Sequence, residues 1–208
     1  MFHPSKIIVI GLNYRDHAKE LKMEIPEYPV ICFKPPTSVI QNGEVIIYPS
    51  QSEEVHYEGE LAIVIKDKIK NVPIDEVSRH IAGYTCANDV TARDLQRADG
   101  QWTRSKCFDT FCPLGPRVVS GIDPTNLEIR TKVNGSTKQH SNTKNMVFNA
   151  FELVSFVSAL MTLVPGDVII TGTPPGIGPI VPGDTVEVEI EGIGTLKNKV
   201  VKHQAVGH

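Results

Sequence analysis

The residues able to do chemistry in this chain of 208 residues begin with His56-Tyr57-Glu58-Gly59-Glu60. Two residues apart on a strand, Glu58 and Glu60 project from one face, and the unbroken apolar run Leu61-Ala62-Ile63-Val64-Ile65 after them says the strand enters a core covered on both sides. Carboxylates brought together at the mouth of a buried region repel and lose hydration. A cation between them relieves both costs, and oxygen ligands favour Mg²⁺, Mn²⁺ or Ca²⁺. A solvated strand end fits the same pattern, and these residues alone leave both readings open. Asp89 follows the strand-like Ile81–Ala87 at the point where Thr91-Ala92-Arg93-Asp94 has the Thr-x-x-acid spacing of a helix start. There it either caps the turn or supplies a third carboxylate.

His17 and Glu20 lie three apart in the polar, helix-like stretch Asn13–Leu21 and so share a face. That spacing lets a carboxylate orient an imidazole, although a crowd of charged neighbours is also what a plain solvated face looks like. Lys106 stands in an aromatic, glycine- and proline-rich loop over 100–116, placed either to meet an anion or simply to be solvated; the lone Trp102 in that loop reads as packing. The glycine-rich Thr171–Pro179 is no phosphate loop, because prolines remove the backbone donors and a strand, not a helix, follows. It reads as a rigid turn or as a fixed wall whose Thr173 hydroxyl meets a substrate oxygen.

The elements that must position these groups are mostly strands. Ile7–Ile10 and Glu44–Pro49 are short strands, and Asn134-Gly135 marks a hairpin after Ile129–Val133. Val186, Val188 and Ile190 alternate with Glu187, Glu189 and Glu191. Prolines interrupt Met23–Pro36, which reads as a covering loop, and Pro73–His80 suggests one short helix. The strongest helix opens at Asn149, with Glu152 three residues on and Leu153, Val154, Val157, Leu160 and Met161 as its apolar face.

With two-fifths apolar residues and a net charge of −3, the chain has enough core for one domain, and its dispersed Lys and Arg argue against nucleic acid as partner. Ile7–Ile10 is too short for a membrane span, so a cytoplasmic protein is expected, with Cys32, Cys86, Cys107 and Cys112 as buried thiols. No G-x-S-x-G elbow or H-E-x-x-H zinc motif occurs.

In order along the chain, Leu12-Asn13-Tyr14-x-x-His17-x-x-Glu20, Phe33-Lys34-Pro35, Glu58-x-Glu60, Asn88-Asp89-Val90-Thr91-Ala92-Arg93-Asp94-Leu95-Gln96, Lys106 and Gly172-Thr173-Pro174 resemble the fumarylacetoacetate hydrolase family nearly end to end. The resemblance is to its short, single-domain branch of acylpyruvate hydrolases and oxaloacetate decarboxylases. It implies an α+β, mainly β fold of mixed, layered sheets with a few short helices, one catalytic domain over 1–208, a lid over 12–29, and a homodimer. It also implies Mg²⁺ or Mn²⁺, with Ca²⁺ as a third choice, held by Glu58, Glu60 and Asp89; a His17–Glu20 dyad; and Lys106, Gln96 and Thr173 against a small 2-oxo acid substrate. Longer members carry a further acidic ligand upstream of the histidine, which has no counterpart here. The implied reaction is hydrolysis of a C–C bond in an acylpyruvate through the pyruvate enolate. Oxaloacetate decarboxylation and dienedioate isomerisation are the alternatives within the family, and a metal-binding β protein without catalysis is the rival outside it.

Overall fold

Apolar residues in unbroken runs must be covered on both faces, and the sheet at the centre of this protein is built from such runs. The computed structural model describes residues 2–20 and 22–203. Its large sheet has seven strands in the spatial order Val30–Lys34, Ile7–Gly11, Val168–Ile170, Gly59–Ile65, Ile81–Asn88, Cys112–Val119, Val39–Gln41. Two of the neighbouring pairs are parallel, Ile7–Gly11 with Val168–Ile170 and Val39–Gln41 with Cys112–Val119; the others are antiparallel. Alternation sorts the side chains. Ile8, Ile10, Leu61, Ile63 and Ile65 enter the main core, while Ile7, Val9, Ala62, Val168 and Ile170 pack together in a separate cluster.

A five-stranded sheet contributes Ile129, Val188, Ile190 and Leu196 to the main core. Its hairpin at Asn134-Gly135 has positive φ at both central residues, 51° and 79°, as the mirror-image turn requires. A three-stranded sheet joins Gly178–Ile180, Val55–Tyr57 and Thr91–Ala92. Four α-helices are present among the described residues: α1 (Arg15–Glu20), α2 (Arg93–Asp99), α3 (Thr103–Lys106) and α4 (Ala150–Leu160). Layered mixed sheets with few helices are the expected fold class.

Helix α4 starts as its sequence dictates, with a capping box in which Asn149 Oδ1 accepts from Phe151 and Glu152 N–H and Glu152 accepts from Asn149 N–H. Leu153, Val154 and Val157 are buried, but Leu160 at the last turn is 56% exposed. Other expectations change. Within Pro73–His80 only Val77–His80 closes a 3₁₀ turn. The stretch 100–116 is not all loop: it holds α3 and the start of the strand from Cys112. Leu21 lies outside the described residues, and α1 is described over Arg15–Glu20. Of the four cysteines, all free thiols, Cys86 and Cys112 are buried and Cys32 and Cys107 only partly so. Among the described residues no helix is long and apolar enough to cross a membrane.

Candidate active site

The functional side chains gather at one end of the large sheet because several strands end or begin there. Glu58 falls between Val55–Tyr57 and Gly59–Ile65, where the chain passes from the small sheet to the large one, and Glu60 is the second residue of the latter strand. Asp89 follows the last residue of Ile81–Asn88. Register brings them together: Gly59 pairs with Asn88 and Glu60 with Ala87, Asn88 Oδ1 accepts from Glu58 N–H at 3.0 Å, and Asp89 N–H donates to Glu58 O at 2.8 Å. One carboxylate oxygen from each of Glu58, Glu60 and Asp89 lies within 4.8 Å of the other two, and all three residues are buried.

Three cations share two of these carboxylates. Arg93 Nη2 pairs with Glu58 Oε1; Lys106 Nζ reaches Glu58 Oε2 at 3.1 Å and also pairs with Asp89 Oδ2; Lys34 Nζ lies 2.8 Å from Asp89 Oδ1. Burial alone would raise the Glu58 carboxyl, but Lys106 and Arg93 outweigh it and hold it well below the carboxylate range. Lys106 is pushed up from its ordinary value, since Asp89 and Glu58 overcome the burial of its ammonium. Among the described residues Glu60 pairs with no cation. Its Oε2 accepts the Gly172 N–H, and burial followed by repulsion from Asp89 and Glu58 drives its carboxyl well above the usual value.

This arrangement fits a divalent cation. The uncompensated Glu60 faces two fixed anions, and Asp89 Oδ1, although buried, accepts no hydrogen bond, because all three Lys34 N–H groups are directed to backbone carbonyls. An all-oxygen set of three carboxylates matches Mg²⁺ or Mn²⁺, whose remaining positions would fall to water or substrate.

Across a cavity of about 240 Å³ stands His17. The residue reading of α1 as a solvated face is corrected here: His17 and Ala18 are buried while Arg15, Asp16, Lys19 and Glu20 are exposed. Asn13 anchors the segment, its side-chain amide donating to Phe148 O and Thr171 O and its Oδ1 accepting from Phe148 N–H. His17 Nδ1 is 2.9 Å from Glu20 Oε2, and Glu20 also accepts the Gly176 N–H at 3.1 Å. A carboxylate on Nδ1 fixes that nitrogen as the donor and leaves Nε2 as the base.

All the residues singled out from the sequence line this cavity except Glu20, which sits behind His17. Thr173 gives its hydroxyl proton to Gly59 O and accepts from Gln139, so toward a ligand it is an acceptor. Thr91 does not cap α2, which begins after Ala92 without a side-chain cap; its hydroxyl instead donates to Asp89 O and accepts from Lys106. The sequence assigned no role to Arg93 or Lys34 and gave Trp102 packing alone. Arg93 stands one turn before Gln96, to which it donates at 2.5 Å, and that i,i+3 spacing was its signal. Trp102 closes the cavity over Gly11, where a Cβ would come within 2.3 Å of its ring; the missing side chain is what admits the indole.

Residues 6–201 match the family model described as Fumarylacetoacetate (FAA) hydrolase C-terminal. The chain belongs to the fumarylacetoacetate hydrolase family. Within that family it is 46% identical over 209 residues to a mitochondrial oxaloacetate tautomerase of Rattus norvegicus, a match covering 95% of this chain and 67% of that protein. The structure of 5-carboxymethyl-2-hydroxymuconate delta-isomerase from Mycobacterium smegmatis shares the fold at a TM-score of 0.92 and 51% identity, over 98% of this chain and 81% of that one. Fumarylpyruvate hydrolase from Pseudomonas aeruginosa, solved in complex with Mn²⁺ and pyruvate, aligns at a TM-score of 0.91 and 32% identity, over 97% of this chain and 91% of that one. Members of the fumarylacetoacetate hydrolase family are thus enzymes of several reaction types, with hydrolase, isomerase and tautomerase among these three.

Proposed function

We propose that this protein is a divalent-metal-dependent enzyme that forms and uses the enolate of a small 2-oxo acid. The observation that carries the proposal is the His17–Glu20 pair set across a small cavity from the buried Glu58, Glu60 and Asp89. Mg²⁺ or Mn²⁺ held by those three carboxylates would supply the Lewis acid that polarises the 2-oxo group. His17 Nε2 takes the proton, and Glu20 on Nδ1 stabilises the imidazolium that results. Lys106, fixed by Glu58, Asp89 and Thr91, places an ammonium beside the oxygen that gains negative charge. Arg93 lines the same cavity with a buried Nε–H that lacks a partner, a donor for a substrate oxygen. Met23 and Leu12 from the lid segment and Trp102 opposite keep the proton transfer away from bulk water.

Two outcomes share this machinery. Keto–enol interconversion of a short 2-oxo diacid such as oxaloacetate needs only the proton transfer, and it is favoured by identities of 46% and 51% to the tautomerase and the isomerase against 32% to the hydrolase. Hydrolysis of an acylpyruvate is the second reading: His17 would instead take a proton from water, which attacks the distal carbonyl before the C–C bond breaks. Decarboxylation of oxaloacetate would use the same enolate without water.

The deciding experiment follows oxaloacetate and acetylpyruvate by enol absorbance and pyruvate release, in metal-stripped protein with and without Mn²⁺, beside His17→Ala. Mn²⁺-dependent loss of enol without pyruvate supports the tautomerase; pyruvate from acetylpyruvate supports the hydrolase. Near-normal turnover by His17→Ala removes the dyad from the mechanism.

A further inference from the structure

Lys34 ends the Val30–Lys34 strand at the edge of the large sheet, just before Pro35-Pro36, and its side chain is wholly buried. It is not among the side chains that line the cavity. Its Nζ donates to Val90 O at 2.9 Å, Lys106 O at 2.8 Å and Phe111 O at 2.7 Å. Three donated bonds need three N–H groups, so the group is the ammonium and not the amine. A full positive charge is therefore held away from water, which is costly unless a specific anion faces it. That anion is Asp89, with Oδ1 at 2.8 Å.

Neutral donors on more than one side chain could have tied the same three carbonyls together, so what needs explaining is the charge. With a dication bound and all three carboxylates ionised, Lys34, Lys106 and Arg93 offset Glu58, Glu60 and Asp89. A bound dication then leaves the site at +2. The 2-oxo acid end of the substrate carries one negative charge and gains a second when its proton leaves for His17, so the match between the site and that end is complete only after proton loss.

We propose that Lys34 is a positioning residue that sets this charge: it fixes Asp89 and the Lys106 turn, and it raises the positive charge of the metal-loaded site so that the enolate, with two negative charges at its 2-oxo acid end, is favoured over the keto acid, with one. The inference rests on the metal-dependent reading above. It has an unusual sign. A purely structural lysine, once removed, would loosen the site and weaken metal binding. A lysine that repels the metal to sharpen selectivity for the enolate would, once neutralised, strengthen metal binding while turnover falls.

The test titrates Mn²⁺ by calorimetry into metal-stripped wild type, Lys34→Gln, which keeps two N–H donors without the charge, and Lys34→Arg, which keeps the charge. A unit charge this near a dication changes its affinity about tenfold even at the dielectric constant of water. Lys34→Gln should thus bind Mn²⁺ about tenfold more tightly with a lower kcat, and Lys34→Arg should stay near wild type. Weaker or unchanged Mn²⁺ affinity in a folded Lys34→Gln overturns the inference and leaves the metal reading standing. Absence of Mn²⁺ binding by wild type overturns both. Should Lys34→Gln not fold, wild type decides: Mn²⁺-loaded protein should prefer dianionic oxalate over monoanionic oxamate by about tenfold more than the free ion does. An equal preference overturns the proposal.

Discussion

Replacing Lys106 by Met removes one ammonium from the buried charge cluster while keeping a side chain of similar length. In the wild type that ammonium bonds Glu58 Oε2 at 3.1 Å and Thr91 Oγ1 at 2.9 Å and also pairs with Asp89 Oδ2. Breaking a buried ion pair costs roughly 3–5 kcal/mol, because the remaining charge is stranded. Here Glu58 keeps Arg93 and Asp89 keeps Lys34, so the low end, about 3 kcal/mol, applies to the metal-free protein. For a chain of this size about 1 kcal/mol moves the unfolding midpoint by roughly 2–4 °C, giving a fall of about 6–12 °C in EDTA. Mn²⁺ should reverse most of this, since ligand at a hundred times its Kd contributes about 2.7 kcal/mol. The assay is thermal unfolding with EDTA and with Mn²⁺, alongside turnover, which should be lost in both. A midpoint in EDTA equal to that of wild type would refute the argument that Lys106 neutralises the carboxylates.

Two further outcomes are expected. In Gly11→Ala the new Cβ would lie 2.3 Å and 2.4 Å from two Trp102 ring carbons, so the indole must shift, at about 1–3 kcal/mol. Tryptophan fluorescence, which Trp102 alone supplies, should change together with a lowered unfolding midpoint, and an unchanged spectrum would rule out the packing described. Asp167 is buried and accepts from Ser5 N–H, Ser5 Oγ and Val164 N–H beside the Lys6 ammonium; burial raises its carboxyl, but the Lys6 and Ser5 bonds prevail and lower it. With the folded value below the unfolded one of about 3.9, its stabilisation is present above that pH and is lost as pH falls through the folded value. Urea unfolding of wild type and Asp167→Asn should therefore differ most near neutral pH and converge in acid; a gap that widens in acid would contradict this sign.

Local patterns carried the fold a long way. The unbroken runs at Ile7–Ile10 and Leu61–Ile65 placed the central strands, Asn149 with Glu152 placed α4, and Asn134-Gly135 placed a hairpin, because these signals act within a few residues. Spacing also put Glu58 and Glu60 on one side and His17 and Glu20 on another, but could not decide between a solvated face and a site. Burial decides that, and burial of α1 comes from Asn13 bonding to Phe148 and Thr171, far along the chain. The same limit hid Thr91, whose hydroxyl goes to a bond with Asp89 O and one from Lys106 instead of a helix cap, and it hid the partner of Trp102, whose indole packs on Gly11. Residue types and their order therefore determined the family, the mainly β architecture and the set of acidic and basic candidates. Only the tertiary structure decided which cation meets which carboxylate: Lys34 and Asp89 are 55 positions apart by their numbers, and an ion pair between such residues depends on strand register and dehydration, which are properties of the folded whole.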